Sequence, residues 1–220
     1  MKKILIMIVV LLMSGIVMAQ GEKQQRTTKS FLALHAGPSF PVGDFAKTDI
    51  NNEQAGFAKT GVNVNLTYGY EFLENVGLTA SIFYNNNKMD NSAVLDQVGN
   101  VALDHWQWYG ISVGPMFTQK LAGNMAIDLR VMGGVANANS PKAVVDNETV
   151  VKEDWSPAAV FQGGAGLRIG MGNRMFIMVN LDYLYMKPKF DLVFPDGSPT
   201  VRSEQKMSVL NLTAGFGIRF

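Results

Sequence analysis

The chain has 220 residues, a formal net charge of +1, 22 glycines and no cysteine. Without cysteine there is no disulfide, no thiolate metal site and no thiol nucleophile. A near-neutral charge leaves no electrostatic footprint for nucleic acid, and the length suits one domain behind a short leader.

The chain opens Met1-Lys2-Lys3, runs apolar over residues 4–17 and reaches Val17-Met18-Ala19 before Gln20. The apolar stretch is shorter than the roughly 20 residues of a spanning helix, and with its basic start and small terminal residue it reads as a secretory signal over 1–19. Residues 20–30 are polar and aperiodic, a flexible periplasmic lead-in. Beyond the signal no apolar run is long enough for a spanning helix.

From residue 31 the alternation has period two, so successive side chains take opposite faces of a strand. The first strand carries Leu32, Leu34, Ala36 and Phe40 on one parity. The second, 61–72, sets Val62, Val64, Leu66, Tyr68, Tyr70 and Phe72 against Asn63, Asn65, Thr67, Gly69 and Glu71. A third carries Leu78, Ala80, Ile82 and Tyr84, and a fourth, 106–118, carries Tyr109, Ile111, Val113 and Phe117 opposite Gly110, Ser112 and Gly114. The fifth opposes Ile127, Leu129, Val131 and Val135 to Asp128, Arg130 and Gly134, and the sixth opposes Phe161, Ala165, Leu167 and Ile169 to Gln162, Gly164, Gly166, Arg168 and Gly170. The seventh, 175–186, is the least clean, because Phe176, Met178, Leu184 and Met186 share the polar parity. The eighth, 211–220, ends on Leu212, Ala214, Phe216, Ile218 and Phe220 against Asn211, Thr213, Gly215, Gly217 and Arg219.

Short connections near Leu73, Gln119 and Met171 alternate with long ones at 41–58, 86–104, 139–157 and 188–205. An even number of strands with short turns at one rim and long loops at the other predicts an all-β fold: an eight-stranded antiparallel up-and-down transmembrane β-barrel with short periplasmic turns and long extracellular loops, over 31–220.

Charge placement predicts which face meets lipid. Glu71, Asp128, Arg130, Arg168, Asp182 and Arg219 all fall on the Gly/Asn/Ser/Thr parity. A Lys or Arg facing lipid at mid-bilayer would cost about 2–4 kcal/mol, so the apolar set faces lipid and the polar set faces the lumen. Tyr70, Phe72, Phe117 and Phe220 at one rim and Tyr84 and Tyr109 at the other read as aromatic girdles. An eight-stranded barrel is only wide enough for its own side chains. The six lumen charges, three acidic and three basic, are therefore expected to neutralise one another in a buried polar network, and a porin path for large solutes is not expected. The glycines of Gly163-Gly164-Ala165-Gly166 relieve crowding in that lumen; with no helix after them they are no phosphate loop.

In the long loops, Ala143-Val144-Val145 with Thr149-Val150-Val151 reads as a hairpin, as do Val94-Leu95 with Val101-Ala102-Leu103, and Phe190-Asp191-Leu192-Val193-Phe194 before Pro195-Asp196-Gly197. Strands that continue above the membrane would present edges or apolar tips, Phe190, Leu192 and Phe194 among them, to a protein partner by strand addition.

The run Gly37-Pro38-Ser39-Phe40-Pro41-Val42-Gly43-Asp44-Phe45-Ala46, followed by Gly56-Phe57-Ala58-Lys59-Thr60-Gly61 and closed by the terminal aromatic strand, resembles the bacterial outer-membrane β-barrel domain family, with its small OmpX-like, OmpA-like and PorT-like barrels. The resemblance covers the mature chain. It implies a bacterial outer-membrane location and a C-terminal signal, Phe216, Ile218 and Phe220, read by the barrel-assembly machinery. Family roles range from anchoring and adhesion to secretion support. His35 and Ser39 on one face are similar to the pair in lipid-A-deacylating barrels, whose active residues face lipid; by parity His35 faces the lumen, so no catalytic, metal or cofactor residue is assigned. The expectation is a non-enzymatic, surface-exposed structural or interaction barrel, surrounded by outer-membrane lipid and open to an extracellular or envelope protein partner. A secretion accessory, a narrow ion channel and, last, a lipid-modifying enzyme are the alternatives.

Overall fold

The computed structural model describes residues 29–49, 51–90, 101–121, 123–145, 148–192 and 200–220. The signal segment, Val94, Leu95 and Phe194 lie outside the described residues. In chain order the strands are β1 (Lys29–Pro41), β2 (Ala58–Glu71), β3 (Val76–Met89), β4 (Val101–Leu103), β5 (Trp106–Lys120), β6 (Met125–Ser140), β7 (Ala143–Val145), β8 (Glu148–Val151), β9 (Asp154–Met171), β10 (Met175–Met186), β11 (Lys189–Leu192), β12 (Val201–Glu204) and β13 (Met207–Arg219). The eight long ones close an antiparallel barrel in the order β1-β13-β10-β9-β6-β5-β3-β2. The seam joins the two ends of the chain, with Phe31 opposite Arg219 and Pro41 opposite Val209. Ser30 and Phe220 exchange backbone hydrogen bonds of 3.2 and 3.0 Å at its foot.

The burial pattern is inside-out relative to a water-soluble barrel. In β2, Asn63, Asn65, Thr67 and Glu71 are buried while Val62, Val64, Leu66, Tyr68 and Tyr70 are exposed. Leu34 and Ile82 are each 59% exposed, Phe161 64% and Val131 69%. A continuous apolar exterior of this extent has no stable place in water, whereas in a bilayer it is the lipid-facing belt. Aromatic side chains gather at the rims: Tyr68 lies 6.4 Å from Phe220 at the periplasmic end and Tyr109 5.7 Å from Trp155 at the other.

Several strands outlast the membrane. β6 has 16 residues, which at about 3.3 Å per residue and a tilt of about 40° rise about 40 Å, against an apolar band of about 25 Å. Its pairing with β9 runs from Met125–Ile169 to Ser140–Asp154, inside what the sequence reads as a loop over 139–157. Above the bilayer the outward face no longer meets lipid, so the alternation fades while the ladder continues. Among the described residues two small sheets lie beyond the barrel, β4-β7-β8 and β11-β12. The β7–β8 and β11–β12 pairs follow the expected hairpins, but β4 pairs with β7 from the next loop.

The interior is packed by matching large residues to glycines across the ladder. Phe31 is opposite Gly69, Phe83 opposite Gly110 and Phe176 opposite Gly217. A Cβ on Gly69 or Gly217 would overlap the facing phenyl ring. The inward Phe, Met and Leu that blur the parity of the seventh predicted strand are thus lumen filling, with Phe176, Met178, Leu184 and Met186 all buried. Small and large residues alternate so that side chains fill a narrow barrel.

Candidate functional site

The lumen holds two separate charge clusters. Toward the periplasm, Arg168 Nη2 donates to Glu71 Oε1 at 2.7 Å and to Asp128 Oδ1 at 2.8 Å, and Thr118 Oγ1 donates to Asp128 at 2.7 Å. Arg168 Nε stands 2.7 Å from Asp128 Oδ2 in an ion-pair contact whose N–H is not aligned as a hydrogen bond. In the second cluster Arg130 Nη2 donates to Asp182 Oδ1 at 2.9 Å and to Asn180 Oδ1 at 3.0 Å. β9 supplies the room: a Cβ on Gly164 would overlap the Asp182 carboxylate, and one on Gly166 would overlap Asn180 Oδ1 and stand 3.1 Å from Arg130 Nη1. These glycines therefore seat an ion pair rather than a phosphate.

Five of the six sequence-read lumen charges meet in these clusters. Arg219 stands apart. It is half-buried at the periplasmic mouth with its guanidinium 5.4 Å over the Phe176 ring, while Arg168 lies 4.6 Å over Phe31 and the two rings meet edge-to-face at 5.6 Å. Both arginines line a cavity of about 320 Å³ open at that end.

Amides and hydroxyls occupy another part of the lumen. His35 Nδ1 and Nε2 lie 2.8 Å from Thr213 Oγ1 and 3.0 Å from Thr67 Oγ1, while Ser39 accepts from Asn85 at 3.0 Å. His35 thus faces the lumen and is hydrogen-bonded to threonines rather than to Ser39. Asn85 also donates to Asn211 and accepts from Asn63, and Ser81 bonds to Asn65. These inward polar groups are matched to one another across the barrel, as burial in a low-dielectric interior demands. No group of metal-ligating side chains occurs among the described residues.

The extracellular end differs from the sequence expectation. The first long loop folds back into the barrel: after Gly43, whose φ of +63° is open to glycine, the short 3-10 turn Gly43–Ala46 drives Phe45 into the mouth, where it is fully buried. Its ring meets Trp106 at 5.6 Å and Trp108 at 6.0 Å, both edge-on. Trp106 Nε1 donates 2.8 Å to Gly56 O at the far side of the loop. Outside the membrane, the hydrogen bond from Lys47 holds the Asp44 carboxyl below its ordinary pKa. Phe190, expected as an apolar tip for a partner, points inward instead. It is 2% exposed and packs 5.9 Å from Trp106. The physical reason is that this mouth lacks lipid, so an aromatic on β11 gains most by joining the aromatic plug beneath it. Leu192 ends β11. Trp106 and Trp108 carried a readable signal, since they share parity with Gly110 and Ser112 and so belong to the lumen. Phe45 carried a weaker one in Pro41-Val42-Gly43-Asp44-Phe45.

On β13, Phe216 and Ile218 point outward, and Phe220 just beyond the strand is likewise exposed, at 67%. A closed eight-stranded barrel with an apolar exterior and a filled polar and aromatic lumen is a transmembrane β-barrel of the outer-membrane type. Among solved structures the chain is similar to Ail, the attachment invasion locus protein of Yersinia pestis, at 18% identity over 88% of this chain and 98% of that one, TM-score 0.51. It is also similar to Neisserial surface protein A, at 11% identity over 89% and 100%, TM-score 0.56. A major outer membrane protein from Thermus thermophilus matches at 11% identity over 89% and 100%, TM-score 0.58. These likenesses are of fold. No family model and no curated protein sequence matches the chain.

Proposed function

We infer that this is a bacterial outer-membrane barrel, exported by its N-terminal signal, that acts as a surface-exposed structural or interaction protein through the β-structure above the membrane. One observation carries the reading: the lumen is occupied by paired charges and an aromatic plug, while the strands rise past the bilayer into the small sheets β4-β7-β8 and β11-β12. What the molecule offers outside is strand edge and loop, not a pore.

With Phe190 buried, the surface for an extracellular or envelope protein partner moves to the edge strands β4 and β8, where main-chain groups support strand addition. Outer-membrane lipid surrounds the belt, and the outward row Phe216, Ile218 and Phe220 is the segment offered to the barrel-assembly machinery. Replacing residues 141–153 by a short turn tests the reading in whole cells. The barrel is expected to keep its heat-modifiable gel migration while its surface crosslinks to partners disappear; an unchanged crosslink pattern refutes it.

A further inference from the structure

The extracellular chamber has strand-built walls and a loop-built cap. Phe83, Trp106, Trp108, Leu184 and Val209 come from the barrel strands, and among the described residues of the loop over 42–57 it is Phe45 that enters this cluster. We propose that Phe45 is a displaceable occupant, and that the chamber is a binding site for an aromatic group carrying a neighbouring carbonyl, presented from outside the cell.

The resident defines the chemistry. A phenyl ring sits edge-on to two indoles, and one indole N–H takes the Gly56 carbonyl at 2.8 Å. Trp108 Nε1 is buried without a hydrogen-bond partner, so the chamber holds a donor that a polar aromatic ligand would satisfy.

The loop is built to move as a unit. Its ends are two left-handed positions, Gly43 at φ +63° and Phe57 at φ +51°. A bulky residue such as Phe57 is strained there, and strain of this kind clusters at ligand clamps and switch segments. Across the mouth a clasp of two side-chain amides holds it to the fourth long loop: Gln54 Nε2 donates to Glu204 O at 3.2 Å and Gln205 Nε2 to Gln54 O at 2.9 Å. A site occupied by its own chain binds ligand with an apparent affinity lowered by the fraction of molecules that are open. Removing the occupant or loosening the clasp must therefore tighten binding.

The test uses the full chain in lipid nanodiscs, titrated with N-acetylphenylalaninamide and, as control, N-acetylalaninamide. Intrinsic tryptophan fluorescence reports binding, since two of the three tryptophans wall the chamber. Phe45→Ala is expected to bind the phenyl probe at least roughly tenfold tighter than wild type and to ignore the alanyl one. Gln205→Ala, which removes the one neutral hydrogen bond that its amide donates across the mouth to Gln54 along with a local one to Lys206 O, is expected to tighten it roughly two- to tenfold. The proposal is overturned if folded Phe45→Ala binds no tighter than wild type. Should that variant fail to fold, a Gln205→Ala affinity no tighter than wild type overturns it instead.

Discussion

Replacing Asp182 by Asn keeps the side chain's shape and removes the charge that faces Arg130. Both side chains are about 3% exposed or less and lie 2.9 Å apart. At an effective dielectric of about 20 their attraction is about 6 kcal/mol, but desolvating two ions costs several kcal/mol each, so the intact pair is near break-even against an apolar pair. Removing one partner is another matter. Arg130 Nε and Nη1 have no hydrogen-bond partner, so Asp182→Asn leaves a buried guanidinium facing neutral amide oxygens alone. The expected loss is about 3–5 kcal/mol. Equilibrium urea unfolding in lipid vesicles, followed by tryptophan fluorescence, measures it. Arg130→Met and Asp182→Leu should each lose a similar amount alone, and together should return to within about 1 kcal/mol of wild type, the signature of strong coupling. A loss below about 0.5 kcal/mol for Asp182→Asn, or a double variant as unstable as the two single losses added, would refute the reasoning.

Gly217→Ala should destabilise the barrel by about 1–3 kcal/mol through overpacking against Phe176, and Phe176→Leu in the same chain should recover part of that loss in the same unfolding assay. At the surface, the hydrogen bond from Lys187 holds Glu204 below its ordinary carboxyl pKa of 4.5. A depressed carboxyl contributes stability above that value and loses it as the pH falls below it, so the β11–β12 hairpin should loosen in acid. The Glu204 carboxyl resonance should titrate below 4.5 in wild type and move back toward it in Lys187→Met; an unmoved midpoint would contradict the assignment.

The exterior of this protein was legible because it obeys a local rule. Val62, Leu66 and Tyr70 had to share a face by parity alone, and the confinement of Asp128, Arg130 and Arg168 to the other parity told which face meets lipid. That charged and amide side chains line the lumen also followed. Which charges meet did not: Arg168 reaches Glu71 across 97 positions of sequence and Asp128 across 40, while Arg219 rests on a phenyl ring. Phe176 made its strand the least clean of the eight and belongs to a set of Phe–Gly pairs visible only once strands from distant parts of the chain are laid in register.

The mouth was the least legible region. Alternation carries information only where one face meets lipid and the other does not, and above the bilayer that contrast vanishes. Phe190 in a loop reads as a tip, and the position of Trp106 beneath it makes it part of the plug. The sequence by itself determined the strand count, the lipid-facing surface and the exclusion of thiol chemistry, because each rests on residue identity and a two-residue period. Only the tertiary structure decided the lumen pairing, the inward turn of Phe45 and the small sheets that carry the exposed edges, because these depend on barrel register and on contacts between loops far apart in the chain.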